Sequence, residues 1–149
     1  MTRYRSTLTL ILVLITVFVV SFASPTFAAK APTTYTPEQI SQIQNAGSDV
    51  QAFRDRMPEL ANFIENREWM EVRSLIHGPF GELRTKMSRL ARTLLPDAQK
   101  VALEASKNVF GHLEEIDEAA GDRDYRQAIR NYSEALKDFD TFFKALPNA

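Results

Sequence analysis

The residue types that could do chemistry are few. His77-Gly78-Pro79-Phe80-Gly81 places a histidine before two glycines, and His112 is the second of two histidines. A histidine followed by glycine-rich chain can build the oxyanion hole of a hydrolase, but that chemistry needs a nucleophile on a strand-to-helix elbow such as G-x-S-x-G. No such elbow is present. Cysteine is absent, which removes thiol nucleophiles, Cys-ligated metals and c-type haem attachment. A di-iron bundle needs Glu-x-x-His on two helices plus two more glutamates. His112 and Glu115 are the one pair with that i, i+3 spacing, and His77 has no carboxylate three or four positions away. Met57 and Met87 fall on apolar stripes, where methionine is more often core filler than haem ligand. The sequence therefore implies no catalytic residue, no cofactor and no built metal site. Adventitious zinc at His77 or His112 is the most that metal chemistry predicts.

Charge placement carries more. From Leu83 to Pro96 the chain has Arg84, Lys86, Arg89 and Arg92 and no acid. At 100° per residue these lie opposite an apolar stripe of Leu83, Met87, Leu90 and Leu94. This is either a solvated face or an electrostatic dock for an acidic partner. On the same wheel Arg73, His77, Gly81 and Arg84 are spaced by four, four and three and share one flank. Gly81 leaves a notch there, framed by two arginines and a histidine. Gly78 and Pro79 need do no more than bend the helix, so a bend alone and a docking row are both open. Further on, Glu114, Glu115, Asp117 and Glu118 precede Gly121, and Arg123, Arg126 and Arg130 follow it. Across an antiparallel turn these acids and bases would face each other as a clasp, each exposed pair contributing less than about 1 kcal/mol.

These residues need elements to hold them. Residues 1–28 are set apart from the rest. Arg3 and Arg5 precede the apolar run Leu8–Val20, then Thr26-Phe27-Ala28 offers a cleavage site, the pattern of a secretory signal peptide. The 13-residue run is short of the roughly 20 that a membrane span needs. Cleavage after Ala28 leaves 16 basic against 19 acidic residues, a net charge of −3, with no drive toward nucleic acid. Residues 29–36 read as an extended arm.

From Pro37 onward four apolar stripes recur every three or four residues, over about 37–65, 67–94, 96–120 and 122–146. Thr36 is a helix N-cap and Pro37 a first-turn proline. Pro58 predicts a kink in the first helix, and Asn66 the turn after it. Pro96 opens the third helix, whose expected core is Val101, Ala105, Val109, His112 or Leu113, and Ile116, with Gly121 as its C-cap. The fourth stripe is Tyr125, Ile129, Tyr132, Leu136, Phe139, Phe143 and Leu146. No strand pattern appears. Four amphipathic helices with short connections predict an all-α, up-down-up-down four-helix bundle at 37–149.

The stretches Phe63–Arg84 ("FIENREWMEVRSLIHGPFGELR"), Leu90–Pro96 ("LARTLLP") and Ala135–Phe143 ("ALKDFDTFF") resemble the PsbQ family in its cyanobacterial form. The most specific parts are Arg67-Glu68-Trp69 and His77-Gly78-Pro79. The resemblance implies a four-helix bundle with no catalytic residues, serving as a lumenal extrinsic subunit of photosystem II. It implies contact with the manganese-stabilising extrinsic protein and the inner-antenna chlorophyll proteins, and support of oxygen evolution and of the assembled complex. Plant relatives also help retain calcium and chloride. One feature departs from the family. Many cyanobacterial members are lipoproteins with a cysteine after the apolar run, and this chain reads Val20-Ser21-Phe22-Ala23-Ser24 there. Without cysteine a lipid anchor is excluded, so the chain is expected either to be soluble in the thylakoid lumen or to be tethered by an uncleaved apolar segment, with peripheral attachment to the complex resting on protein contacts. An exported helical-bundle adaptor or metal-binding protein outside photosynthesis is the alternative. The expected docking residues are Arg73, His77, Gly81, Arg84, Lys86, Arg89 and Arg92.

Overall fold

A computed structural model describes residues 33–147, so the expected signal peptide and the first half of the arm, 29–32, lie outside the described residues. The helical part begins where Thr36 closes a capping box. Its side chain accepts from Gln39 N at 3.3 Å, and Gln39 Oε1 accepts from Thr36 N at 2.9 Å. Helix α1 then runs Pro37–Arg54 and α2 runs Met57–Glu65. Asp55 and Arg56 separate them. Pro58 lacks the N–H that would continue the ladder, so the chain restarts with Pro58 in the first turn of α2. The expected kink is thus a full break.

The second rod is α3 (Trp69–His77), a 3₁₀ turn (Pro79–Glu82) and α4 (Leu83–Ala91). Helix α5 (Pro96–Asp122) and α6 (Tyr125–Lys144) are continuous. Cross-rod pairs fix the directions. Tyr35 Oη accepts from Leu95 N at 2.9 Å, Lys86 meets Asp49 at 3.1 Å, and the Phe53 and Phe80 rings meet edge to face at 6.1 Å. Rising numbers on the first rod therefore meet falling numbers on the second. Arg54 beside Asp140 and Gly47 beside Leu146 likewise set the first rod antiparallel to α6. The four rods form an all-α bundle, with no strand among the described residues.

The core is continuous along the bundle. Met57, Leu60, Ile64, Val72, Leu83, Met87, Val109, Ile116, Phe139 and Phe142 are fully buried. Each such side chain contributes about 1.5–3 kcal/mol on leaving water. On the second rod the stripe Leu83, Met87, Leu90 and Leu94 is buried as expected, and Leu75 and Ala91 join it.

The last two helices correct the expectation. Val101 is 47% exposed and Ala102 is buried in its place. On α6 the seam is Ala128, Asn131, Ala135, Phe139 and Phe142, while Ile129, Tyr132, Leu136 and Phe143 are half-buried and Tyr125 is exposed. The reason is small side chains. Ala102, Ala105, Ala119 and Ala120 on α5 and Ala128 and Ala135 on α6 are all buried. These let the two helices approach closely, so the alanine rows take the centre and the bulky residues flank it.

Of the two inter-rod turns at one end of the bundle, the first lies at Asn66 as expected and the second departs, because Gly121 does not end α5. Asn66 is right-handed and the left-handed residue is Arg67, at φ 59°. Gly121 stays inside α5, and the left-handed residue is Arg123, again at φ 59°. The bonding is the same in both turns. Arg67 N donates to Ile64 O and Glu68 N to Phe63 O, while Arg123 N donates to Ala120 O and Asp124 N to Ala119 O. These are Schellman closures, which normally favour glycine at the left-handed position. At α5 the closure is held late by Asp124, whose carboxylate accepts from Gln127 N at 3.0 Å and caps α6.

Candidate functional site

The second rod carries the expected row, and its local break positions it. Gly78 has ψ −97°, and a Cβ there would stand 2.8 Å from Ser74 O. No side chain fits against that backbone oxygen, so Gly78 answers a packing need. The 3₁₀ turn then brings Phe80 into the core and leaves Gly81 outward, with nothing within 4 Å of an added Cβ.

Arg73, His77, Gly81 and Arg84 do share one flank, but that flank faces α5. Arg73 Nε donates to Asp117 Oδ1 at 3.1 Å, and His77 Nε2 lies 2.9 Å from the same oxygen. Arg84 pairs with Glu114 and its guanidinium lies 4.8 Å from the centre of the Phe110 ring. Between these pairs lies a groove of about 280 Å³, floored by Ile76, Phe80, Phe110 and Leu113 and open beside Gly81. Lys86 is half-buried against Asp49. Arg89 and Arg92 are exposed, and among the described residues neither has a carboxylate within 4.0 Å.

Asp117, Glu114 and Phe110 complete this surface and had no place in the sequence-based row. The acids had been expected to clasp Arg123, Arg126 and Arg130 across the last turn. Glu114 and Asp117 turn to the second rod instead, and none of those three arginines has a carboxylate within 4.0 Å among the described residues. The spacing of Glu114 and Asp117 put them on one face, but which neighbouring helix that face meets is a tertiary fact. His112 also gains partners from another helix. Its Nδ1 lies 3.0 Å from Asn131 Oδ1 and its Nε2 3.3 Å from Asp138 Oδ2. Buried Asn131 completes its bonding by donating to Gln127 O. No group of three or more His, Cys, Asp or Glu is placed to hold a metal ion among the described residues.

A second concavity, about 710 Å³, lies at the end of the bundle where the two left-handed arginines sit. Arg67-Glu68-Trp69-Met70 form one side and Gly121 and Arg123 the other. Met70 is 77% exposed, and the Arg67 guanidinium lies 5.9 Å from the centre of the Tyr125 ring. A left-handed conformation costs about 1–2 kcal/mol for a residue with a Cβ.

The family model for PsbQ, oxygen evolving enhancer protein 3, matches residues 2–147. This chain belongs to the PsbQ family. It is also 47% identical over 150 residues to CyanoQ of Synechocystis sp. (strain ATCC 27184 / PCC 6803 / Kazusa), covering all of this chain and 99% of that relative. PsbQ membership supports an extrinsic photosystem II subunit. Among the described residues no helix is long and apolar enough to cross a membrane.

Proposed function

We propose that the chain is a non-catalytic subunit on the lumenal face of photosystem II that stabilises the assembled complex and supports oxygen evolution. Its contacts are with the manganese-stabilising extrinsic protein and the inner-antenna chlorophyll proteins, and it docks through the second rod. The observation that carries the docking face is the pair Arg89 and Arg92, exposed and without carboxylate partners among the described residues, on a chain of formal charge −1. Arg84 and Lys86 extend this basic face, and Arg73, His77 and Gly81 border the groove beside it. Charges at such a rim set association rate and salt dependence.

The test is rebinding. Salt-washed photosystem II membranes are given the wild-type chain or the R89E/R92E variant. The variant should rebind about tenfold more weakly, a difference of about 1.4 kcal/mol, and restore less oxygen evolution. Wild-type binding should weaken as salt is raised. Equal rebinding by both chains would exclude this face. The R73E/R84E variant sets like charges against Asp117 and Glu114. Its melting temperature should fall slightly, since each lost pair is exposed and contributes less than about 1 kcal/mol.

A further inference from the structure

The end of the bundle carries a second feature that the second-rod face does not use. Two turns from different parts of the chain adopt the same Schellman closure, and in both the left-handed position holds an arginine. Glycine is the residue that this position favours. Backbone strain kept twice, beside one concavity, points from the outlier to a role for the side chains. Both side chains are exposed, and among the described residues neither has a carboxylate within 4.0 Å. Half-buried Trp69 and the 77% exposed Met70 line the same concavity, an apolar patch set among charges.

We propose that this end is a docking surface for an acidic protein segment bearing an apolar side chain. Carboxylates of the segment pair with Arg67 and Arg123, and its apolar side chain lies against Trp69 and Met70. Arginine beside tryptophan and methionine is the composition enriched at protein interfaces. A protein segment fits better than an anionic membrane. Glu68 and Glu71 also line the recess, and a flat sheet of lipid phosphates would meet them together with the arginines. A segment can place its few carboxylates at the arginines alone.

Trp69 is the single tryptophan of the chain and reports on its own surroundings. The full chain is titrated with a set of capped eight-residue peptides holding two glutamates around one phenylalanine or leucine, followed by tryptophan emission. A saturable change is expected, absent when lysines replace the glutamates. R67G and R123G should each weaken binding about tenfold. Each should also raise the melting temperature, because glycine occupies the left-handed position without strain. Binding that falls as stability rises is a combination that a purely structural arginine does not produce. The R89E/R92E chain should bind the peptides like wild type, so failure here and failure of the second-rod face are separately visible. The proposal is overturned by no saturable change with any peptide, by equal affinity in R67G and R123G, or by a fall in their melting temperature. Equal loss in R89E/R92E overturns it as general charge attraction. Arginine-dependent binding to phosphatidylglycerol vesicles without peptide binding overturns it in favour of a lipid surface.

Discussion

Gly78 and Gly81 are three residues apart and do opposite things. At Gly78 a methyl group would press on Ser74 O, a backbone atom that cannot swing away. Gly78→Ala should therefore destabilise by about 1–3 kcal/mol, the usual range for overpacking. At Gly81 the space is open, and Gly81→Ala should be neutral or stabilising by up to about 1 kcal/mol through lower unfolded-state entropy. Chemical denaturation of the two variants reads this directly. If Gly78→Ala matches wild type, the close approach does not explain the glycine. The sequence raised one question for both residues, whether they bend or dock. Contacts separate them, since Gly78 serves the bend and Gly81 leaves the groove open.

At the scale of elements, helix ends were easier to read than helix faces. Thr36 and Pro37 act locally, and their cap forms as expected. Thr36→Ala should cost about 1 kcal/mol of stability in thermal melts. Glu38, in the same first turn, has its carboxyl held below the usual range by a hydrogen bond to its own backbone N–H and by the Thr36 side chain. A depressed folded pKa contributes stability above the unfolded pKa, and that contribution is lost as pH falls through the folded value. Melting temperature followed from neutral pH into the acid range should fall less steeply in Glu38→Gln than in wild type. An unchanged acid limb would remove Glu38 from the account. The breaks at Asp55–Arg56 and Gly78 follow from proline and glycine chemistry. The two left-handed arginines do not, because turn residues such as Asn66 and Gly121 stood close by and drew the expectation.

At the scale of the whole molecule, the α5–α6 seam decides which faces are left for partners. Ala135 is fully buried at that seam. Ala135→Leu should destabilise by about 1–3 kcal/mol by forcing the helices apart, whereas Val101→Ser should change stability by less than about 0.5 kcal/mol because Val101 is surface. Equilibrium unfolding of both variants is the check, and the reverse order would restore the stripe that apolar bulk suggested. Asn131 sits in this seam as its buried polar residue, tied to His112. Asn131→Ala leaves His112 Nδ1 without its acceptor and should cost about 1–3 kcal/mol.

Periodicity and end chemistry were enough for the all-α bundle, the Thr36 cap, an interruption at Pro58, the buried stripe Leu83–Leu94, and the basic run Arg84–Arg92. Each is local, depending on residues within one or two turns of helix. Family membership was legible too, in motifs such as Arg67-Glu68-Trp69. Only the tertiary structure decided that alanine rather than bulk centres the last seam, and that Asp117 and Glu114 turn to the second rod. The same holds for the meeting of Arg67 and Arg123 at one recess. These depend on how closely and at what rotation two helices pack, which small side chains permit and no single helix encodes.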